Sequence, residues 1–102
     1  MDIVFLPSEF DWDKHNVEHV KRHHIEPSES EEVFFNQGFK FVQDPTHSKT
    51  EERFIAIGAT NLGRHLFVSF TFRGSRVRII TARDMRQKER RKYHEEKTKK
   101  SS

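Results

Sequence analysis

A chain of 102 residues, 32% apolar and 34% charged, is long enough for one folded domain and too short for two. It has no cysteine, which excludes disulfides and thiol catalysis, and no apolar run reaches the roughly 18 residues of a membrane span, so a cytoplasmic globular protein is expected. Its net charge of +3 hides an asymmetry: residues 1–61 hold six Lys/Arg and twelve Asp/Glu, residues 62–102 thirteen and four, or −6 against +9, which points to a polyanion-facing surface on the C-terminal elements.

The first element is a short apolar run, Ile3 to Leu6, able to begin a strand. Asp11 or Asp13 can then cap a helix running to about Arg22, with Val17 and Val20 as its narrow apolar stripe and Trp12 just before it. Pro27, followed by Ser28-Glu29-Ser30-Glu31-Glu32, suits the first turn of a second helix. Val33, Phe34 and Phe35 form its buried end, closed near Asn36-Gln37-Gly38. The periodicity then switches to alternation, giving a strand over 39–42 and a loop from Asp44 to Lys49. Arg53 to Thr60 reads as a strand, Asn61-Leu62-Gly63 as a turn, and His65 to Arg73 as a cleanly alternating strand. Leu66, Val68, Phe70 and Phe72 share one of its faces; His65, Phe67, Ser69, Thr71 and Arg73 share the other. Gly74-Ser75 turns into a last strand, Arg76 to Ala82, with Val77, Ile79 and Thr81 opposite Arg78, Ile80 and Ala82. From Asp84 as N-cap a basic helix runs to about Lys97. Residues 1–97 thus form one α+β domain, with two N-terminal helices, a three- to four-stranded antiparallel sheet and a C-terminal basic helix, and 98–102 a frayed tail. One sheet face must be covered by helices, and the other can stay open.

Chemistry is concentrated near the last hairpin. Arg73, Arg76, Arg78 and Arg83 cluster there, with Arg64 at the neighbouring turn and Arg86, Lys88 and Arg90 on the basic helix. Guanidinium offers a fixed fork of donors matched to phosphate oxygens, and Phe39, Phe41 and Tyr93 could stack bases of single-stranded RNA. The competing reading pairs each arginine with a nearby carboxylate on an ordinary solvated face. Seven histidines are present; His15, His19 and His23 line one helix face, yet no metal-ligand pattern accompanies them. A single histidine acting on a ribose 2′-hydroxyl is the more natural use of the type, with His23 the first choice. The sequence has no phosphate-cradling glycine loop, nucleophile elbow or paired-carboxylate signature, so any enzyme here is expected to work without metal or cofactor, by positioning and cationic stabilisation.

Several stretches occur together in a telling order: Phe10-Asp11-Trp12-Asp13, Arg22-His23-His24-Ile25, Glu32-Val33-Phe34, Glu52 to Gly58, Gly63-Arg64, Phe70 to Gly74, Arg78 to Arg83, then Lys88-Glu89-Arg90 and Tyr93. In that order, over about residues 10 to 93, the chain resembles the BrnT toxins. The resemblance implies a RelE-like fold and a ribonuclease that stops translation. It implies neutralisation by a BrnA-type antitoxin with a ribbon-helix-helix DNA-binding part, in a heterotetramer that touches operator DNA only through the antitoxin. Carried over by position, the catalytic candidates are His23, Arg64, Arg78, Arg83, Glu89 and Tyr93. Arg64 and Arg78 would clamp the scissile phosphate, Arg83 would neutralise developing charge, and Tyr93 would stack or shuttle a proton. Arg73, Arg76, Arg86, Lys88 and Arg90 are the candidates for RNA binding. A non-catalytic RNA-binding or antitoxin-partner module is the alternative. Two departures from the family pattern stand out: His24 occupies a position usually held by Gly, where a left-handed turn would be strained, and the first helix is one residue shorter between Asn16 and His23.

Overall fold

Alternation in the second half of the chain builds most of a five-stranded sheet, and a two-residue strand from before the first helix completes it. The computed structural model describes residues 9–36, 40–44 and 51–101. The elements run β1 (Glu9–Phe10), α1 (Lys14–Arg22), α2 (Pro27–Glu32), β2 (Lys40–Gln43), β3 (Phe54–Ala59), β4 (His65–Arg73), β5 (Arg76–Asp84) and α3 (Gln87–Ser101). The sheet order is β1-β5-β4-β3-β2. The expected strand at Ile3–Leu6, the turn at Gly38, Phe39 and the loop beyond Asp44 lie outside the described residues.

The sheet is mixed, which corrects the expectation of a purely antiparallel one. Strands β2 to β5 pair antiparallel, but β1 joins β5 in parallel, Glu9 opposite Arg76 and Phe10 opposite Val77. The parallel contact continues as the Asp11 N–H donates to the Val77 carbonyl at 2.8 Å. What holds the chain there is Asn16, only 3% exposed. Its amide donates to the carbonyls of Ile79 (2.9 Å) and Asp11 (2.8 Å), and its oxygen accepts the Asp13 N–H at 2.7 Å. Asp13 caps α1 by accepting from the N–H groups of His15 and Asn16, so one helical turn fixes both its own start and its seat on β5.

Helix α1 ends in a Schellman turn: Ile25 N–H reaches Val20 O (3.2 Å) and His24 N–H reaches Lys21 O (3.0 Å). His24 takes φ 60°, the left-handed conformation expected from its place in the sequence, while Val20 and Ile25 are buried together beneath it. Helix α2 is shorter than expected. Val33 to Phe35 leave the helix as a turn; Val33 and Phe34 go into the core, and Phe35 remains 54% exposed. The core gathers Val20, Ile25, Val33 and Phe34 from the helical layer against Ala56, Leu66, Val68, Phe70, Val77, Ile79 and Ala82 of the sheet. Phe34 meets Phe70 edge-on at 5.0 Å, and Phe54 stacks on Phe70 at 5.5 Å.

Strand β5 does not alternate as expected. Ser69 pairs with Thr81 and Phe70 with Ile79, so Ile80 is an extra residue in a bulge. Val77, Ile79 and Ala82 therefore all point into the core, and Thr81 does not share their face. The strand also runs on to Asp84, which consequently is not the cap of the last helix. Helix α3 instead starts after Arg86, whose N–H donates to Glu89 Oε1 at 2.8 Å, and it continues through the stretch expected to fray. It lies on the second sheet face, so that face is partly covered: Tyr93 is 2% exposed. Among the described residues no helix is long and apolar enough to cross a membrane.

Candidate active site

Register and the bulge divide the candidate residues between two sides of the sheet. Leu66 pairs with Asp84 on the helical side, and Phe67 pairs with Arg83 on the α3 side. Without Ile80 in the bulge, Arg83 would share the core face; with it, Arg83 joins Arg76 and Arg78 on the side away from α1 and α2.

Arg64 belongs to the helical side. Its guanidinium grips Asp84 with two bonds (Nε–Oδ1 2.7 Å, Nη2–Oδ2 3.1 Å), donates to the His24 carbonyl at 2.8 Å and lies 3.4 Å from Glu29. A weaker bond at 3.5 Å reaches the His23 carbonyl. The hydrogen bonds from Arg64 hold the Asp84 carboxyl below its ordinary value, and Asp84 in turn raises Arg64. Arg64 is therefore a clamp joining the α1–α2 link to the end of β5. His23, exposed at the end of α1, belongs to this same cluster.

Arg83 is held differently. Its Cζ lies 3.9 Å from the centroid of the Phe67 ring, and its two terminal nitrogens meet the two Glu89 oxygens at 2.9 Å each. Nη1 also donates to the Asp84 carbonyl at 3.1 Å. The ring beneath and the carboxylate at the edge fix the guanidinium in one plane, and hydrogen bonds from Arg83 keep the Glu89 carboxyl below its usual range. Beside this pair a groove of about 260 Å³ opens between the sheet and α3. Its walls are Val42, Ile55, Ile57, Phe67 and Tyr93; Lys40, Lys92 and Glu89 edge it. Burial pushes the Tyr93 phenol up, so it stays protonated at neutral pH. Phe41, 41% exposed, also borders this groove, with its ring 6.1 Å from Phe70.

The remaining hairpin arginines do not converge on that spot. Arg78, 16% exposed at its side chain, pairs with Asp13 at 3.0 Å and Asp11 at 3.7 Å; its cross-strand partner Thr71 lies four residues along β4 from Phe67, the partner of Arg83, so the two arginines are roughly 13 Å apart. Arg76 meets Glu9 at 2.8 Å and Arg73 meets Glu51 at 3.4 Å. The expected single open patch of guanidinium groups is thus replaced by five separately paired arginines: Arg73, Arg76 and Arg78 meet carboxylates of the acidic N-terminal half where it lies along the same strands, while Arg64 and Arg83 are gripped by Asp84 and Glu89. Exposed positive charge is found instead at and just before the start of α3, where Arg86, Lys88, Arg90, Arg91 and Lys92 hold no ion pair with a described residue. Among the described residues no group of three His, Asp or Glu could hold a metal ion.

Sequence reasoning missed Phe67 as the platform for Arg83, Asp84 as the partner of Arg64, and the meeting of His65 with His94 at 5.0 Å between ring centroids. The first depends on a bulge and the third on how α3 docks, neither of which has a local signature. A comparison with curated protein sequences finds no match. Residues 12–89, the greater part of the chain, match the family model described as the ribonuclease toxin BrnT of type II toxin–antitoxin systems, and the stretch matched includes Arg83, Phe67 and Glu89. By that match the chain belongs to the BrnT family of ribonuclease toxins.

Proposed function

We propose that the protein is a metal-independent endoribonuclease of RelE-like fold that cleaves RNA and so inhibits translation. A BrnA-type antitoxin with a ribbon-helix-helix part neutralises it, in a heterotetramer that reaches operator DNA only through the antitoxin, and the pair works in the cytoplasm. The observation that carries this reading is the Arg83 guanidinium, laid flat on Phe67 and oriented by Glu89, beside a groove with aromatic walls and a strip of exposed cations.

The chemistry follows from that arrangement. The 2′-oxygen of a ribose attacks the adjacent phosphorus, the 2′-O–P bond forms, and the P–O5′ bond breaks. Negative charge grows on the phosphoryl oxygens as this happens, and a fixed fork of N–H donors stabilises it more than it stabilises the ground state. Arg83 supplies the fork; a phosphate reaches it by taking over bonds now made to Glu89. Tyr93, neutral and buried in the groove wall, offers an aromatic surface and a hydroxyl donor. Arg86, Lys88 and Arg90 pair with flanking phosphates, and Arg73, Arg76 and Arg78 extend the track along the sheet where RNA phosphates displace their present carboxylates. Arg64 and His23 take the role of scaffold in this reading, since Arg64 is occupied on the helical side and His23 stands with it.

Expression of the chain alone should arrest growth, and Arg83→Ala should relieve the arrest while the protein stays folded. Normal growth with abundant folded wild-type protein refutes the reading. The ion pairing of all four hairpin arginines and of Arg64 favours one other, a non-catalytic RNA-binding or antitoxin-partner module. It predicts salt-sensitive RNA affinity with intact RNA after long incubation.

A further inference from the structure

We propose that the groove between the sheet and α3 is a pocket for one unpaired RNA base, the base adjoining the phosphate held by Arg83; the inference rests on the ribonuclease reading above. Its floor follows from strand register. Lys40, Ile57, Phe67 and Arg83 are successive cross-strand partners on β2, β3, β4 and β5, so they form one row across the outer sheet face. Val42 and Ile55 pair in the next row, two residues along. Ile55, Ile57 and Val42 thus place three β-branched apolar side chains on a face that solvent alone would leave polar. Helix α3 covers that face only in part. It turns Glu89, Lys92 and Tyr93, at i, i+3 and i+4, toward the groove. Tyr93 is 2% exposed, whereas Ile55 and Ile57 are half-buried and Val42 is 62% exposed. The space left between them is the groove of about 260 Å³.

Size, lining and position all match that space to a base. Its volume lies just below the roughly 300–1,000 Å³ of sites for drug-sized ligands, which leaves room for one flat ring system rather than a stack. Its walls are apolar and include the rings of Phe67 and Tyr93, a surface on which any base can pack by its π-face. A base still paired in a duplex cannot enter, so the ligand is single-stranded. Phe67 carries the Arg83 guanidinium at 3.9 Å and also lines the groove, so the pocket begins where the phosphate site ends. Strand spacing of about 4.8 Å sets Ile57 roughly 10 Å from Arg83, the reach of one nucleotide from its phosphate to the far edge of its base. Lys92 at the rim supplies a donor to a ring nitrogen or carbonyl of that base. An apolar side chain of a protein partner would fit the same walls, but continuity with the guanidinium favours a nucleotide. Packing and one donor hold a base without reading its whole edge, so the pocket accepts more than one base.

The test uses the full chain and two substrates, a single-stranded RNA oligonucleotide and a short message in a translating extract. Each is supplied intact or with one base removed while its sugar and phosphates stay in place. Removing the base beside the cut bond should lower kcat/KM of the wild type roughly 5- to 150-fold, the worth of one stacked base, and removing a distant base should not. In Ile57→Trp, which fills the groove, intact RNA should be cut more slowly by a similar factor, and loss of the base should cost nothing further. Val42→Trp fills the same space from a position 62% exposed, so it keeps its fold and decides the matter should Ile57→Trp unfold. A wild type that cuts intact and base-free RNA equally well overturns the pocket and leaves the ribonuclease reading standing. So does a Val42→Trp variant as sensitive to the missing base as the wild type, which would leave the groove to a side chain of a protein partner. A wild type that cuts neither substrate overturns that reading and the pocket with it.

Discussion

Replacing His24 by glycine should stabilise the protein, and the size of the gain can be worked from the end of α1. His24 sits at φ 60° in a complete Schellman turn, with both of its reverse hydrogen bonds made and Val20 packed against Ile25 below. An L-residue in the left-handed region costs roughly 1–2 kcal/mol. Glycine removes that strain but gives the unfolded chain extra freedom worth roughly 0.5–1 kcal/mol. The exposed imidazole contributes no packing to set against the change. The net gain is therefore about 0.5–1 kcal/mol. A chain of this length unfolds with an entropy near 0.2 kcal/mol/K, so the midpoint of thermal unfolding should rise by roughly 2–5 °C. His24→Ala keeps the strain and should show no such rise, and His24→Val, stiff at its β-carbon, should fall below the wild type. Calorimetry on the three variants is the assay. If alanine stabilises as much as glycine, backbone strain at this turn is not what limits stability.

Asn16→Ala should cost about 2–3 kcal/mol in urea unfolding, because it leaves the buried Ile79 carbonyl without its donor; Asn16→Asp, which cannot donate, should not rescue it. Glu89 and Asp84 both titrate below their ordinary values of 4.5 and 3.8 in the folded state, so their contributions are fully present above those values and are lost as pH falls through the lower, folded ones. The urea midpoint should accordingly drop below about pH 4.5, less steeply in Arg83→Ala; a midpoint flat to strong acid refutes the pairing. Neutralising Arg86, Lys88 and Arg90 together as glutamines should leave the fold unchanged and reduce the salt slope of RNA binding by about 2. A slope equal to the wild type places the RNA elsewhere.

What the chain reveals before folding is uneven, for physical reasons. Strand β4 and the turns at Gly63 and Gly74 are legible because alternation and a positive φ are local properties. The cap at Asp13 is legible for the same reason. Strand β1 is only two residues long and exists because β5 offers it an edge, so nothing within Glu9-Phe10 announces it. The end of β5 is not legible because Asp84 suits a helix cap by type, whereas its actual partner is Arg64, twenty residues back in the chain. Of the site, the arginines were legible as residues but their partners were not. Glu9, Asp11, Asp13 and Glu51 meet them only once the acidic half lies along the hairpin. Glu89 alone could be matched to Arg83 by nearness in sequence.

The unpaired Ile80 works as a phase shift written into strand length. Were Ile80 instead drawn into the ladder with every residue retained, strict two-residue periodicity would turn Arg83 toward Leu66 and Val68, stranding a cation among aliphatic side chains. The hairpin would then have to choose between a buried charge and a slipped register. A change in backbone pairing, touching no charged group, would thus displace the guanidinium from Phe67 and Glu89 as thoroughly as loss of the arginine.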